Sequence, residues 1–269
     1  MSFSLQGKTA IVTGSAAGIG RAIARHFLDN GANVMFADVN DTLLHEECEE
    51  EAKSEGALRY FGGNICEKLT IANLLSATID AFDRVDILVN ASRQFRESDP
   101  LDPTEDGVEP LWQQNVMSGL RLSQQTAKRM IAQAEKAGQT EGPVGSIINI
   151  SSLASTRTQP ELMGYSIAAA AVDQMTRSLA VALAPKRIRV NAISFASVMS
   201  ASLQAALKEN PDYHQMLTEG TPMNRIAPAD VVAETAQYLA SDASSFMTGQ
   251  VVTLDGGRGL IDSVTAPAH

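Results

Sequence analysis

Short apolar runs recur along the chain, each followed by a longer stretch of helical period. The runs are TAIVT, NVMFA, LRYF, DILVN, SIINI, IRVNAI and QVVTL. They are nearly continuous rather than alternating, the pattern of strands buried on both faces of a parallel sheet. Between them, apolar positions return every three or four residues, which predicts helices over 19–30, 42–54, 69–82, 108–136, 164–184 and 229–241. Asp41 is placed to cap the second helix and Gly31 to end the first. Strand–helix alternation to the end of the chain predicts one α/β domain over 1–269, doubly wound about a parallel sheet of about seven strands. There is no internal repeat, low-complexity segment or linker. The one long stretch without pattern, 194–228, falls between the sixth and seventh strands, where a long connection reads as a functional flap and substrate loop.

Composition narrows the classes of function. The 269 residues are 44% hydrophobic and 19% charged, with a net charge of −10, which argues against a nucleic acid partner. Cys48 and Cys66 are too few for a disulfide framework and fit a reduced, cytoplasmic setting. No basic segment followed by an apolar core opens the sequence, and no run approaches the roughly 18 apolar residues of a membrane span. The acidic run HEECEEEAKSE reads as the wet face of a helix. His26, His45, His214 and His269 lack metal-ligand spacing, so no metal site is expected. Met199, Met216, Met223 and Met247 are read as core fillers, the alternative being the lining of an apolar acyl pocket. Trp112 is expected to pack on the long fourth helix.

Candidate chemistry begins with TGSAAGIG, which follows the first strand and opens the first helix. Gly14, Gly18 and Gly20, with Ile19 between the last two, allow a sharp turn and close approach of a pyrophosphate, which the helix N-terminus attracts. Asp38 ends the second strand, where a carboxylate would meet an adenosine ribose and repel a 2′-phosphate, so NAD is expected over NADP. Taken alone, a glycine turn and one acid could equally be a tight strand–helix connection.

Further motifs extend the pattern: Asn64-Ile65 after the third strand, Asn90 after the fourth, Asn115 in WQQNVMSG, Ser152 in IINISS thirteen residues before Tyr165, and the closing ASDASSFMTGQVVTLDGG. With these the chain resembles the short-chain dehydrogenase/reductase family, and most its β-ketoacyl reductase and hydroxyacyl dehydrogenase branch, over almost its full length. The resemblance implies a Rossmann fold and an NAD site formed by the glycine turn, Asp38, Asn64, Ile65, Asn90 and the backbone of Val198. It implies Tyr165 as general acid/base, Ser152 as holder of the substrate oxygen and Asn115 as support of a water relay. It also implies a lysine one helical turn after the tyrosine, to bind the nicotinamide ribose. A tyrosine's ordinary pKa is about 10, and a neighbouring cation draws it towards working pH.

That lysine is Ala169 here. The family's Asn-Asn-Ala-Gly reads Asn90-Ala91-Ser92-Arg93, and its Pro-Gly beside the nicotinamide reads Phe195-Ala196. The departures cluster on the nicotinamide half, whereas the adenine half is largely kept. Three functions follow as expectations. One is a non-catalytic or strongly attenuated subunit that binds NAD weakly or not at all and joins a complete, homologous dehydrogenase in a heterotetramer, where it shapes a site for a bulky substrate such as an acyl-CoA. The second is an active NAD-dependent oxidoreductase in which Arg93 replaces the lysine. The third is a lyase or isomerase that uses Tyr165 without hydride transfer.

Overall fold

The computed structural model describes residues 3–52 and 56–262. Seven strands form one parallel sheet: β1 (Thr9–Thr13), β2 (Asn33–Asp38), β3 (Leu58–Gly62), β4 (Ile87–Asn90), β5 (Gly145–Ser152), β6 (Ile188–Phe195) and β7 (Val251–Leu254). Their order is β3-β2-β1-β4-β5-β6-β7, and each neighbouring pair is parallel. The near-continuous apolar runs have their expected cause. Ala10, Val12, Val34 and Phe36 face one core, whereas Ile11, Met35 and Ala37 face another. Both faces of β1 and β2 are therefore dry, and a parallel sheet needs helices on each side.

The first core is covered by α1 (Gly18–Asp29), α2 (Asp41–Ala52) and α9 (Asp230–Ala240). The second is covered by α3 (Lys68–Phe82), α5 (Ser118–Lys136) and α6 (Met163–Leu183). Gly31 ends α1 as expected: at φ +86° it lets its own N–H reach Leu28 O and that of Ala32 reach Phe27 O. Asp41, however, does not cap α2. Asn40 Oδ1 accepts from Leu43 N at 3.1 Å, and Asp41 lies within the first turn, where its charge still favours the helix dipole. The predicted end of that helix at Ser54 lies outside the described residues.

Two expectations need correction. The single helix predicted over 108–136 is three pieces: α4 (Val108–Leu111), a π-helical turn (Trp112–Met117), and α5. Trp112 opens the widened turn and is partly exposed rather than packed inside. The unpatterned stretch 194–228 completes β6 and then contains two short helices, α7 (Ala201–Glu209) and α8 (Tyr213–Glu219). Neither buries a residue fully, and each is short, at nine and seven residues, so the partly buried stripe Leu203, Ala206 and Leu207 of α7 spans too few turns to mark a helix in sequence. In addition, one helical stretch, Pro160–Lys186, is long and apolar enough by length and composition to cross a membrane. It includes α6, whose Tyr165, Ala168 and Val172 pack into a third apolar cluster with Leu111 and Val116.

Candidate functional site

In this strand order the chain reverses direction between β1 and β4, and the crevice beyond their carboxyl ends is where doubly wound folds bind ligands. Every site residue expected from the sequence comes from a segment at this edge of the sheet. Gly14 (φ +68°) and Gly18 (φ +58°) take left-handed conformations that favour glycine. A side chain on Gly14 would meet Ala91 O at 2.8 Å, and one on Gly20 would meet Gly14 O at 2.1 Å. The turn is thus drawn tightly against the β4 loop, with Thr13 Oγ1 accepting from Ala91 N and Ser92 N.

The adenosine half retains the parts a dinucleotide needs. Asp38 ends β2 and is partly exposed; its Oδ2 accepts from Ala16 N and its Oδ1 from Asn40 N, so the carboxylate is fixed beside the glycine turn. Ile65 is buried after β3, and Asn64 Oδ1 accepts from Cys66 N. Residues 14–20, Asp38, Asn64 and Ile65 therefore suit an adenosine diphosphate. Gly18 faces Ala201, at 3.1 Å from where its Cβ would stand, so the start of the flap rests on the same turn.

The nicotinamide half is different. Arg93 Nη1 donates to Ser151 O at the end of β5 at 2.9 Å. Its guanidinium carbon lies 4.5 Å from the ring centre of Phe195, at the end of β6, and 5.9 Å from that of Tyr165. Phe95 packs edge-on against Tyr165 with ring centres 5.3 Å apart. One cation and three aromatic rings thus cluster at the ends of β4, β5 and β6, on the side of the crevice expected to take the nicotinamide.

Tyr165 and Ser152 line one cleft. Tyr165 is only 6% exposed, and Ser152 Oγ accepts from Ala154 N at the start of a 3₁₀ turn. Asn115 sits in the π-helical turn, but its side chain is occupied: Oδ1 accepts from Gln94 N at 2.7 Å and Nδ2 donates to Gln94 O at 2.9 Å. Asn115 therefore pins the loop that carries Arg93. Asn90 Nδ2 donates to Ser123 Oγ and Asn149 Oδ1, while its own Oδ1 is buried without a partner. Val198 is buried and bridges to Ala227 rather than lying open.

Ala169 is 7% exposed and borders a cavity of 20 Å³ that also touches Asn90, Ser92, Asn115, Ser152 and Tyr165. That volume suits one water molecule, not a lysine side chain. Beside it, Ser151 Oγ donates to the buried Asp173 Oδ1 at 2.6 Å.

Several residues of this region escaped the sequence reading. Gln94 and Phe95 hold the site by backbone and ring contacts that leave no motif. Arg157 and Arg258, just over a hundred residues apart, line the same cleft only through the topology. Met216, read as a core filler, is 65% exposed and lines an adjoining cleft, and Met223 is likewise exposed; Met247 does pack on the core. Among the described residues no three His, Cys, Asp or Glu side chains converge to hold a metal ion.

Comparison with known proteins gives the descent of this arrangement. A family profile described as enoyl-(acyl carrier protein) reductase matches residues 14–258. A short-chain dehydrogenase of Penicillium roqueforti is 30% identical over 272 residues, covering 97% of this chain and 98% of its own. A solved 7α-hydroxysteroid dehydrogenase, complexed with NADH and 7-oxo glycochenodeoxycholic acid, is 29% identical with a TM-score of 0.85 and covers 95% of each chain. A gluconate 5-dehydrogenase from Burkholderia cenocepacia, in complex with NADP and tartrate, is 27% identical with a TM-score of 0.84, covering 97% of this chain and 98% of that one. Fold, motif order and full-length similarity converge, and the chain belongs to the short-chain dehydrogenase/reductase family of oxidoreductases.

Proposed function

We propose that this chain is a non-catalytic or strongly attenuated short-chain dehydrogenase subunit that assembles with a complete, NAD-dependent relative. The observation that carries the reading is the replacement of a catalytic cation by Ala169, with Arg93 seated on Phe195 and Ser151 O instead. An arginine held there opposes a nicotinamide sterically and leaves Tyr165 without the ribose-binding lysine. The intact adenosine half supports residual binding of ADP-like ligands, with NAD bound weakly or not at all.

The partner is supported by what α6 leaves uncovered. The helix is apolar, yet only a third of its most apolar window is buried, and Val181 is 77% exposed on its outer side. Small exposed residues there (Ala170, Ser178, Ala182) permit close helix approach. Phe246 and Leu260, flanking the edge strand β7, are also exposed and suit a second contact. In the family these same segments join subunits, and a heterotetramer with two complete copies would place this chain beside a working active site, where it could help hold a bulky acyl-CoA-type substrate.

One observation favours the alternative of an active enzyme: the Arg93 guanidinium is close enough to Tyr165 to act as its cation. A single experiment separates the two. Purified chain is titrated with NADH by calorimetry and assayed with ketone and secondary alcohol substrates, alone and co-expressed with short-chain dehydrogenases encoded beside it, with native mass spectrometry of the products. The proposal expects negligible turnover alone and a mixed tetramer on co-expression. Robust turnover by the chain alone, lost in Arg93→Ala, would establish the alternative, and a homo-oligomer beside a fully active and stable relative would remove the partner.

A further inference from the structure

Above Ser152 and Tyr165 lies a cleft of 360 Å³ lined by three arginines, Arg93, Arg157 and Arg258, and by no aspartate or glutamate. In a chain of net charge −10 this is an unusual concentration of one sign. None of the three pairs with a carboxylate among the described residues. The nearest acid in sequence to Arg258, Asp255, is turned inward, its oxygens accepting from Gly257 N and Gly259 N. Arg93 is half-buried and stacked on Phe195, yet among the described residues it gives only one of its five N–H groups to the protein, at Ser151 O. A partly desolvated guanidinium held planar against a ring, with an open fork of donors facing a cavity, is prepared for a planar oxyanion.

The surroundings give the rest of the ligand. A second cleft of 530 Å³ adjoins the first, sharing Arg258 as well as the apolar Phe95, Leu162, Leu203 and Leu217, and continues past Ala206 to Met216 on the flap helices. Its walls are chiefly apolar, and its acidic members are Glu97 and Glu161. The combined space is cationic beside Ser152 and Tyr165, with Arg258 at the junction lining both clefts, and chiefly apolar beyond it, with Glu97 and Glu161 on the wall of the second cleft. A molecule with one negative head and an apolar body matches that arrangement; a second negative charge in the outer cleft would meet the glutamates.

We infer that this site binds an amphipathic carboxylate, with its head held by Arg93, Arg157 and Arg258 and its apolar body lying along Leu203, Leu217 and Met216. The inference deepens the reading given above, since the site is taken to bind without transferring hydride. The test is calorimetric titration of the full chain, free of nucleotide, with decanoate and with its neutral counterpart 1-decanol. Saturable decanoate binding is expected, about tenfold or more tighter than decanol and weakened by salt; tenfold corresponds to about 1.4 kcal/mol. Arg93→Gln should reduce decanoate affinity by about tenfold or more with little effect on decanol. The double variant Arg157→Gln/Arg258→Gln should do the same, and because Arg157 is exposed and Arg258 makes no side-chain hydrogen bond among the described residues, it keeps the test valid if Arg93→Gln fails to fold. Equal affinity for acid and alcohol, indifference to both sets of substitutions, or no binding of either probe would overturn the inference. Dehydrogenase turnover in a separate assay with nucleotide would overturn the non-catalytic reading alone and leave the charge preference standing.

Discussion

Replacing Arg93 by alanine should lower the stability of the chain and raise its affinity for NADH, by related amounts. The side chain is held by a charge-assisted hydrogen bond to Ser151 O and by stacking on Phe195. Stacking contributes about 0.5–2 kcal/mol and a hydrogen bond from a charged donor about 1.5–3 kcal/mol at full strength. For a half-buried group a combined value of roughly 1–3 kcal/mol is reasonable. If a nicotinamide can enter only when Arg93 leaves, that same energy is subtracted from nucleotide binding, because a ligand that selects a minor conformation binds more weakly by the cost of populating it. Removing the side chain removes the cost, so NADH affinity should rise by about 5- to 150-fold. Urea unfolding gives the first quantity and calorimetry the second. ADP, which reaches only the glycine turn and Asp38, is the control and should bind both proteins equally. A variant destabilised as expected but with unchanged or weaker NADH binding would refute the idea that Arg93 stands in the nicotinamide's place.

Three further outcomes test other parts of the structure. Ala169→Lys alone should not confer ketone reduction in a spectrophotometric NADH assay, and should destabilise the fold by about 1–3 kcal/mol in urea, since its side chain overfills a 20 Å³ cavity; measurable turnover would show that the lysine was the sole deficit. Gly20→Ala should cost about 3 kcal/mol or more, read as a large fall in melting temperature, because the new Cβ meets the rigid carbonyl of Gly14 at 2.1 Å; an unchanged melt would contradict the tight turn. Burial raises the Cys48 thiol from its ordinary 9.0 to about 12. Below pH 9 both folded and unfolded chains hold the proton; between pH 9 and 12 only the folded chain does, so the stability due to Cys48 falls by up to about 1.4 kcal/mol per pH unit. Urea midpoints of the native chain and Cys48→Ala should therefore converge as pH rises through this window, and a constant gap would refute the burial argument.

The sheet was legible in the sequence because both faces of its strands are buried, and burial writes an apolar run directly into the chain. The glycine turn was legible for a similar reason, since Gly14 and Gly20 are fixed by backbone contacts that exclude any side chain. What escaped was structure that buries little. The helices α7 and α8 bury no side chain fully and are only nine and seven residues long, so their apolar positions make too short a pattern to read. The π-helical turn arises from a slipped hydrogen-bond ladder within a stretch that is amphipathic throughout. Asn40 and Asp41 are both good capping residues, and only the hydrogen bond from Leu43 distinguishes them. In the site, Ala169, Arg93 and Phe195 were visible as departures from a resembling family, but their mutual contact was not, nor was the meeting of Arg93 with Arg157 and Arg258.

The structure also bears on how a family member can lose a catalytic lysine while keeping its serine and tyrosine. The space bordering Ala169 measures 20 Å³, room for about one water molecule, which could reach the unpartnered Asn90 Oδ1. Tyr165, by contrast, is 6% exposed, packs with Leu111, Val116 and Val172, and meets Phe95 at its edge. Truncating a buried aromatic of this kind costs about 3–5 kcal/mol. Ser152 likewise holds Ala154 N at the start of its turn. Packing alone is enough to retain both residues, so their presence is no argument for chemistry. The departures at 93, 169 and 195–196 are therefore what the non-catalytic proposal rests on, and Arg93→Ala is the substitution that tests it.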